Sequence, residues 1–130
     1  MPSTGITTVI PAQLGPPIAP YSQAAIANGF IYLAGQVGLD PENNVVSPND
    51  IRVQTRYAIG RMRTILAECG SSLENVVSAT VFISNLDDFK GFNEAWAEEF
   101  GSHRPARATV VAGLLLPGLV VEIQAIAVVI

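Results

Sequence analysis

The sequence predicts an α+β domain: a mixed β-sheet with two α-helices packed on one face. Three observations lead there. Short β-branched runs, two of them flanking an Asn-Gly pair, mark strands. Two longer segments carry apolar residues at helical spacing. Strands joined by tight turns alternate with strands separated by helices, which calls for antiparallel and crossover pairing in one sheet. At 130 residues the chain reads as a single domain, 1–130, long enough for a real core.

Taken in order, Ile6 to Ile10 is β-branched and forms a first strand. Pro11 to Pro20 holds four prolines and one glycine and is an extended loop that delivers Tyr21. Ser22 to Ala27 and Phe30 to Gly35 flank Asn28-Gly29, the strongest hairpin signal in the chain. Asp40 to Asn44 is a turn, followed by a brief extended Val45-Val46. Ser47-Pro48-Asn49-Asp50 suits a helix start, with Ser47 as cap and Pro48 at the first helical position. Ile51, Ala58, Met62, Ile65 and Cys69 share one helical face, and Gly70 ends the helix. Arg52, Arg56 and Arg63 fall on a different face and read as a solvated stripe. Val76 to Ile83 is the next strand, with Val77, Ala79, Val81 and Ile83 on one side. Phe89, Phe92, Trp96 and Phe100 mark a second amphipathic helix, and Asn93 on that face needs a hydrogen-bond partner.

Composition narrows the function. The chain is 49% hydrophobic and only 14% charged, against about a quarter charged in ordinary domains. So little charge, with two helices to cover only one face of a sheet, implies burial in a homo-oligomer. A net charge of −4 argues against nucleic acid as the main partner. The lone Cys69 excludes an internal disulfide, fits a reducing, cytoplasmic setting, and reads as helix-end packing. One His and one Cys cannot build a common zinc site. His103 reads as a surface residue. Met1 to Gly5 carries no signal-peptide pattern. The apolar C-terminal run is broken by Pro117, Gly118, Glu122 and Gln124, so no membrane span is expected.

Within that apolar run, two charges stand out. Arg107 opens one strand and Glu122 sits inside the next, and buried charges are costly unless paired. If the strands form a hairpin with Ala112 opposite Pro117, Arg107 faces Glu122 on the same side of the sheet. Such a pair is either a site for an anionic substrate or a structural ion pair.

Five pieces of the chain then resemble the RidA/YjgF family of enamine/imine deaminases: Ala19-Pro20-Tyr21-Ser22-Gln23-Ala24, Leu33-Ala34-Gly35-Gln36, Asn93 in the aromatic helix, Pro105-Ala106-Arg107, and Val121-Glu122-Ile123-Gln124-Ala125. The resemblance implies a chorismate-mutase-like fold, a homotrimer with clefts between subunits, and hydrolysis of 2-imino acids to 2-oxo acids and ammonia without metal or organic cofactor. It implies that Arg107 holds the substrate carboxylate, that Glu122 positions the attacking water, and that Tyr21 closes the pocket. Asn93 matches a polar position of the family's site, and backbone near Gly35 lines it. The chain departs from many deaminating members at Thr109, where Cys is common two positions after the Arg, and at Ala34, where Ser often precedes the Gly-Gln pair. Both positions bear on substrate preference. The competing functions are a specialised aminomuconate-type deaminase, the endoribonuclease or translation-inhibitor activity often attached to this family, and a non-catalytic trimer that binds small carboxylates.

Overall fold

The computed structural model describes residues 5–130, so the reading of Met1 to Gly5 lies, but for Gly5, outside the described residues. Six strands form one sheet: β1 (Thr7–Val9), β2 (Ala24–Ala27), β3 (Phe30–Val37), β4 (Val76–Ile83), β5 (Ala106–Val111) and β6 (Val121–Val128). Two helices, α1 (Ile51–Glu68) and α2 (Phe89–Phe100), complete the fold. The spatial order is β1-β2-β3-β6-β4-β5, antiparallel throughout except for the β4–β5 pair, which is parallel and connected through α2. The expected mixed sheet with helices on one face is therefore what the chain forms.

Local chemistry accounts for the elements. Asn28 and Gly29 both take positive φ (52° and 80°), the backbone that lets a two-residue turn match the twist of β2 and β3. The cap of α1 differs from the expectation. Asp50, not Ser47, caps the helix, accepting from the Val53 N–H at 3.0 Å. Ser47 and Asn49 have φ of 41° and 66°, so Ser47–Asp50 is a turn in front of the helix. Gly70 (φ 72°) ends α1 in a Schellman arrangement, with Ser71 N–H donating to Leu66 O and Gly70 N–H to Ala67 O.

The core lies between the helices and one sheet face. Ala58, Ile59, Met62, Ile65 and Leu66 of α1 and Phe92 and Trp96 of α2 pack on Ile31, Leu33, Ala79, Val81, Ile83, Val121, Ile123 and Ala125. Val77 departs from the expected inward set. It is exposed because the β4–β6 register shifts between Val76 and Ser78, so Val76 turns inward in its place. Arg52, Arg56 and Arg63 do face solvent, but they also bridge to Glu94, Glu98 and Glu99 of α2 at 2.6, 3.3 and 3.1 Å. Cys69 is buried in the core. His103 is half-buried and not simply at the surface: its Nε2 lies 2.8 Å from the Val76 carbonyl, as donor. Among the described residues no helix is long and apolar enough to cross a membrane.

The expected β5–β6 hairpin does not form. β4 lies between the two strands, and the Ala112–Val120 segment crosses it. Parallel pairing on β4 leaves β5 as an edge strand, whereas β6 becomes a central strand with partners on both sides.

The opposite sheet face has no helix over it. Phe30, Tyr32 and Val110 are exposed there, beside half-buried Phe82, Ile126 and Val128.

A candidate active site divided across the sheet

Strand register decides where the two charges point. Arg107 pairs with Ala79, which pairs with Ala125, and both alanines face the helices. Glu122 pairs with Phe82 and Val37 and is three residues from Ala125. Side chains alternate along a strand, so Glu122 points to the uncovered face and Arg107 to the helix side. The expectation that they share a face fails with the hairpin that generated it.

Arg107 lies at the sheet edge against α2. Its Nη2 donates to Asn93 Oδ1 at 2.6 Å, and its guanidinium carbon is 5.0 Å from the ring centroids of both Phe92 and Trp96. Asn93 thus has the partner its place on the helix required. Two aromatic faces and a fixed amide hold the guanidinium in one place, and of its five N–H groups only one is committed to Asn93. Burial lowers its pKa from the usual arginine range, and it remains a cation at any working pH. A cleft of about 440 Å³ opens beside it, lined by Asn93, Trp96, Ala97, Arg104 and Pro105. Two residues along the same face, Thr109 has a buried hydroxyl without a hydrogen-bond partner, an unusual state for a buried polar atom.

Glu122 lies in a second cleft, of about 280 Å³. Tyr21, Ala34 and Gly35 line it, and the apolar side chains of Ile18, Leu115, Leu116 and Leu119 close its sides. Burial among them pushes the Glu122 carboxyl above the usual carboxylate range, as expected when a charged form loses its water. Gly35 makes room for Glu122: a Cβ there would overlap the carboxylate, which would have to move aside. The sequence-derived residues therefore gather into two groups, Arg107 with Asn93, and Glu122 with Tyr21, Ala34 and Gly35.

Sequence reasoning passed over the support beneath the second cleft. Arg61, on α1, is 9% exposed and donates through Nε to Gln36 Oε1 at 3.0 Å and through Nη1 to Leu39 O at 2.9 Å. Gln36 Nε2 donates to Gln23 Oε1 at 2.8 Å and to Ala34 O at 3.0 Å. The available signal was Arg61 itself, a charge set among Ala58, Met62 and Ile65 on the apolar stripe. Gln54, fully buried, donates to Ser47 O and Gly118 O and accepts from Val120 N–H, fixing the approach to β6. A larger groove of about 480 Å³ runs along α1, lined by Leu14, Val53, Arg56, Tyr57, Arg61 and Thr64. It contains neither Arg107 nor Glu122. Among the described residues no cluster of His, Cys, Asp and Glu could hold a metal ion.

Fold and site together define a class: a small α+β protein with two helices on a six-stranded mixed sheet, carrying an arginine held by an amide and two aromatic rings on one side and a carboxylate in an apolar cleft on the other. The profile of the family described as Endoribonuclease L-PSP matches residues 12–129. A RutC family protein of Pyrococcus abyssi is 42% identical over 111 residues, 85% of this chain and 87% of that protein. Among solved structures, YyfA of the Rid protein family from Yersinia pestis superposes with a TM-score of 0.87 at 35% identity, covering 95% of this chain and 99% of that one. RidA from an Antarctic Psychrobacter gives 0.87 at 30% identity, over 95% and 99%. The chain belongs to the Endoribonuclease L-PSP family, the RidA/YjgF family that its sequence resembles.

Proposed function

We propose that this protein is a homotrimeric hydrolase that deaminates 2-imino acids, the tautomers of short-lived 2-enamino acids, at clefts between subunits. The observation that carries the reading is the division of Arg107 and Glu122 between opposite faces of one sheet, each at a half-open cleft. One chain alone does not bring a carboxylate anchor to a water-activating group. A second copy, laid against the uncovered apolar face, supplies the missing half.

In this mechanism the free N–H groups of Arg107 take the substrate carboxylate as a bidentate pair. That carboxylate is bonded directly to the imine carbon, so anchoring it also fixes the electrophile. Glu122, as carboxylate, accepts a proton from a water whose oxygen bonds to the imine carbon. The electron pair of the C=N bond moves to nitrogen, which is protonated, giving a carbinolamine. Proton transfer from its hydroxyl and cleavage of the C–N bond release ammonia and leave the 2-oxo acid. A raised Glu122 pKa makes its carboxylate a stronger base towards the attacking water than an ordinary glutamate. Tyr21 covers the cleft and reaches the substrate or the water through its hydroxyl. Ala34 and Thr109, in place of more polar or thiol side chains, set which imino acid side chains are accepted.

The test is the lifetime of an imine generated in place. A serine or threonine dehydratase supplies the imino acid, and semicarbazide traps what survives. Wild-type protein is expected to speed its loss and Arg107→Ala to leave it unchanged. Equal decay with wild type, with the variant and without protein refutes the proposal.

A further inference from the structure

We propose that Arg61 is a positioning residue for Glu122, acting through the Gln36 amide and the β-bulge that Gly35 occupies. This rests on the reading of Glu122 as the water-activating group. Between Leu33 and Gln36 the register of β3 on β6 shifts by one residue, so the backbone of Ala34 and Gly35 leaves the ladder beside Glu122. Extra residues in a bulge have polar groups to satisfy. Here the Ala34 N–H donates to Gln23 O at 2.9 Å, and the Ala34 carbonyl accepts from Gln36 Nε2.

The direction of the Gln36 amide is therefore decisive, and Arg61 sets it. A guanidinium only donates, so the atom Gln36 turns towards Arg61 Nε must be its oxygen. The amide nitrogen is then forced towards Gln23 Oε1 and the bulge carbonyl. The second Arg61 bond holds Leu39 O, and Leu39 lines the Glu122 cleft. One side chain on α1 thus fastens the bulge, the end of β3 and, through Gln23, the strand entry two residues after Tyr21.

Arg61 also lacks an acidic partner among the described residues, unlike Arg52, Arg56 and Arg63 on the same helix. Burying a cation this way is costly, and an apolar side chain would suit the stripe better if packing were its only task. What an apolar side chain cannot do is orient the amide.

The test uses Arg61→Met, an apolar side chain that cannot orient the amide, and Gln36→Met, which removes the amide and leaves Arg61 with its bond to Leu39 O. Purified full-length variants are compared for thermal unfolding, for imine turnover, and for the titration of the Glu122 carboxyl carbon by NMR. The other titratable group lining that cleft is Tyr21, from the loop. Folded variants are expected to lose kcat on the order of 10- to 100-fold, with KM within about twofold because Arg107 still anchors the substrate. The Glu122 titration is expected to move back towards the ordinary carboxylate range as water reaches the loosened pocket. A role in packing alone lowers the melting temperature and leaves kcat, KM and the titration unchanged, and that result overturns the inference. If wild type shows no turnover, the deaminase reading falls, and the Glu122 titration by itself decides the role of Arg61. Should Arg61→Met fail to fold, Gln36→Met decides by the same criteria.

Discussion

The two clefts differ in how each controls its charged group. Around Arg107 the protein supplies attraction: an amide oxygen at 2.6 Å and two aromatic faces at 5.0 Å, all from α2. Around Glu122 it supplies the opposite, an apolar wall that removes water and offers no cation. The first arrangement gives the buried cation an amide oxygen and two aromatic faces and holds it still, as an anchor requires. The second leaves the charge uncomfortable and ready to take a proton, as a base requires. Under the proposed function, binding and proton transfer would be tuned separately, on different elements and different faces, so that either could be changed with little effect on the other.

Substitutions that damage one cleft should leave the signature of that cleft alone. The largest effect is expected from Glu122→Gln, a loss in kcat of roughly 10²- to 10⁴-fold, the usual contribution of a general base, with KM little changed. The same variant reports on pH. Because the folded pKa of Glu122 is raised, the native state holds its proton to higher pH than the unfolded chain does. The resulting stabilisation is full below the unfolded value, about 4.3, and is lost as pH rises through the folded value. Glu122→Gln is therefore expected to melt higher than wild type at neutral pH, with the gap closing as the solution is acidified. Next comes Arg107→Ala, with kcat/KM lower by roughly 10²- to 10³-fold, about 3–4 kcal/mol, much of it in KM.

Gly35→Ala sharpens the contrast. A Cβ 2.3 Å from Glu122 Oε2 must push the carboxylate aside, which costs about 10- to 100-fold in kcat while Arg107 goes on binding. The smallest effect is expected from Arg56→Ala. Its bridge to Glu98 is exposed, so the unfolding free energy should fall by less than about 1 kcal/mol, and turnover should not change. Loss of activity there means that the α1 face also communicates with a cleft.

Most elements were legible because their signals are local. Asn28-Gly29, the α1 stripe and the aromatic spacing of α2 each depend on residues a few positions apart. Which strands would pair was not local. Two apolar runs around Ala112-Gly113 and Pro117-Gly118 have the look of a hairpin, and nothing near them reveals that β4 occupies the place between. The misplaced hairpin then put Arg107 and Glu122 on one face, since an error in strand neighbours becomes an error in side-chain direction. Both charges were still found, because their rarity in apolar strands is itself a sequence signal. The Gln23–Gln36–Arg61 network escaped for the same reason as strand order: its members lie 13 and 25 positions apart and meet only once α1 has packed on β3.

The central claim is that Arg107 and Glu122 act together only when they come from different copies of the chain. Complementation tests it directly. Arg107→Ala and Glu122→Gln proteins, each inactive alone, are unfolded, mixed in equal amounts and refolded, and mixed assemblies are verified by native mass spectrometry. Random assembly of a cyclic oligomer should restore about a quarter of the wild-type rate, through sites that join an intact arginine from one subunit to an intact glutamate from its neighbour. Verified mixed assemblies with no imine turnover would contradict the account, because both groups would then have to belong to a single chain.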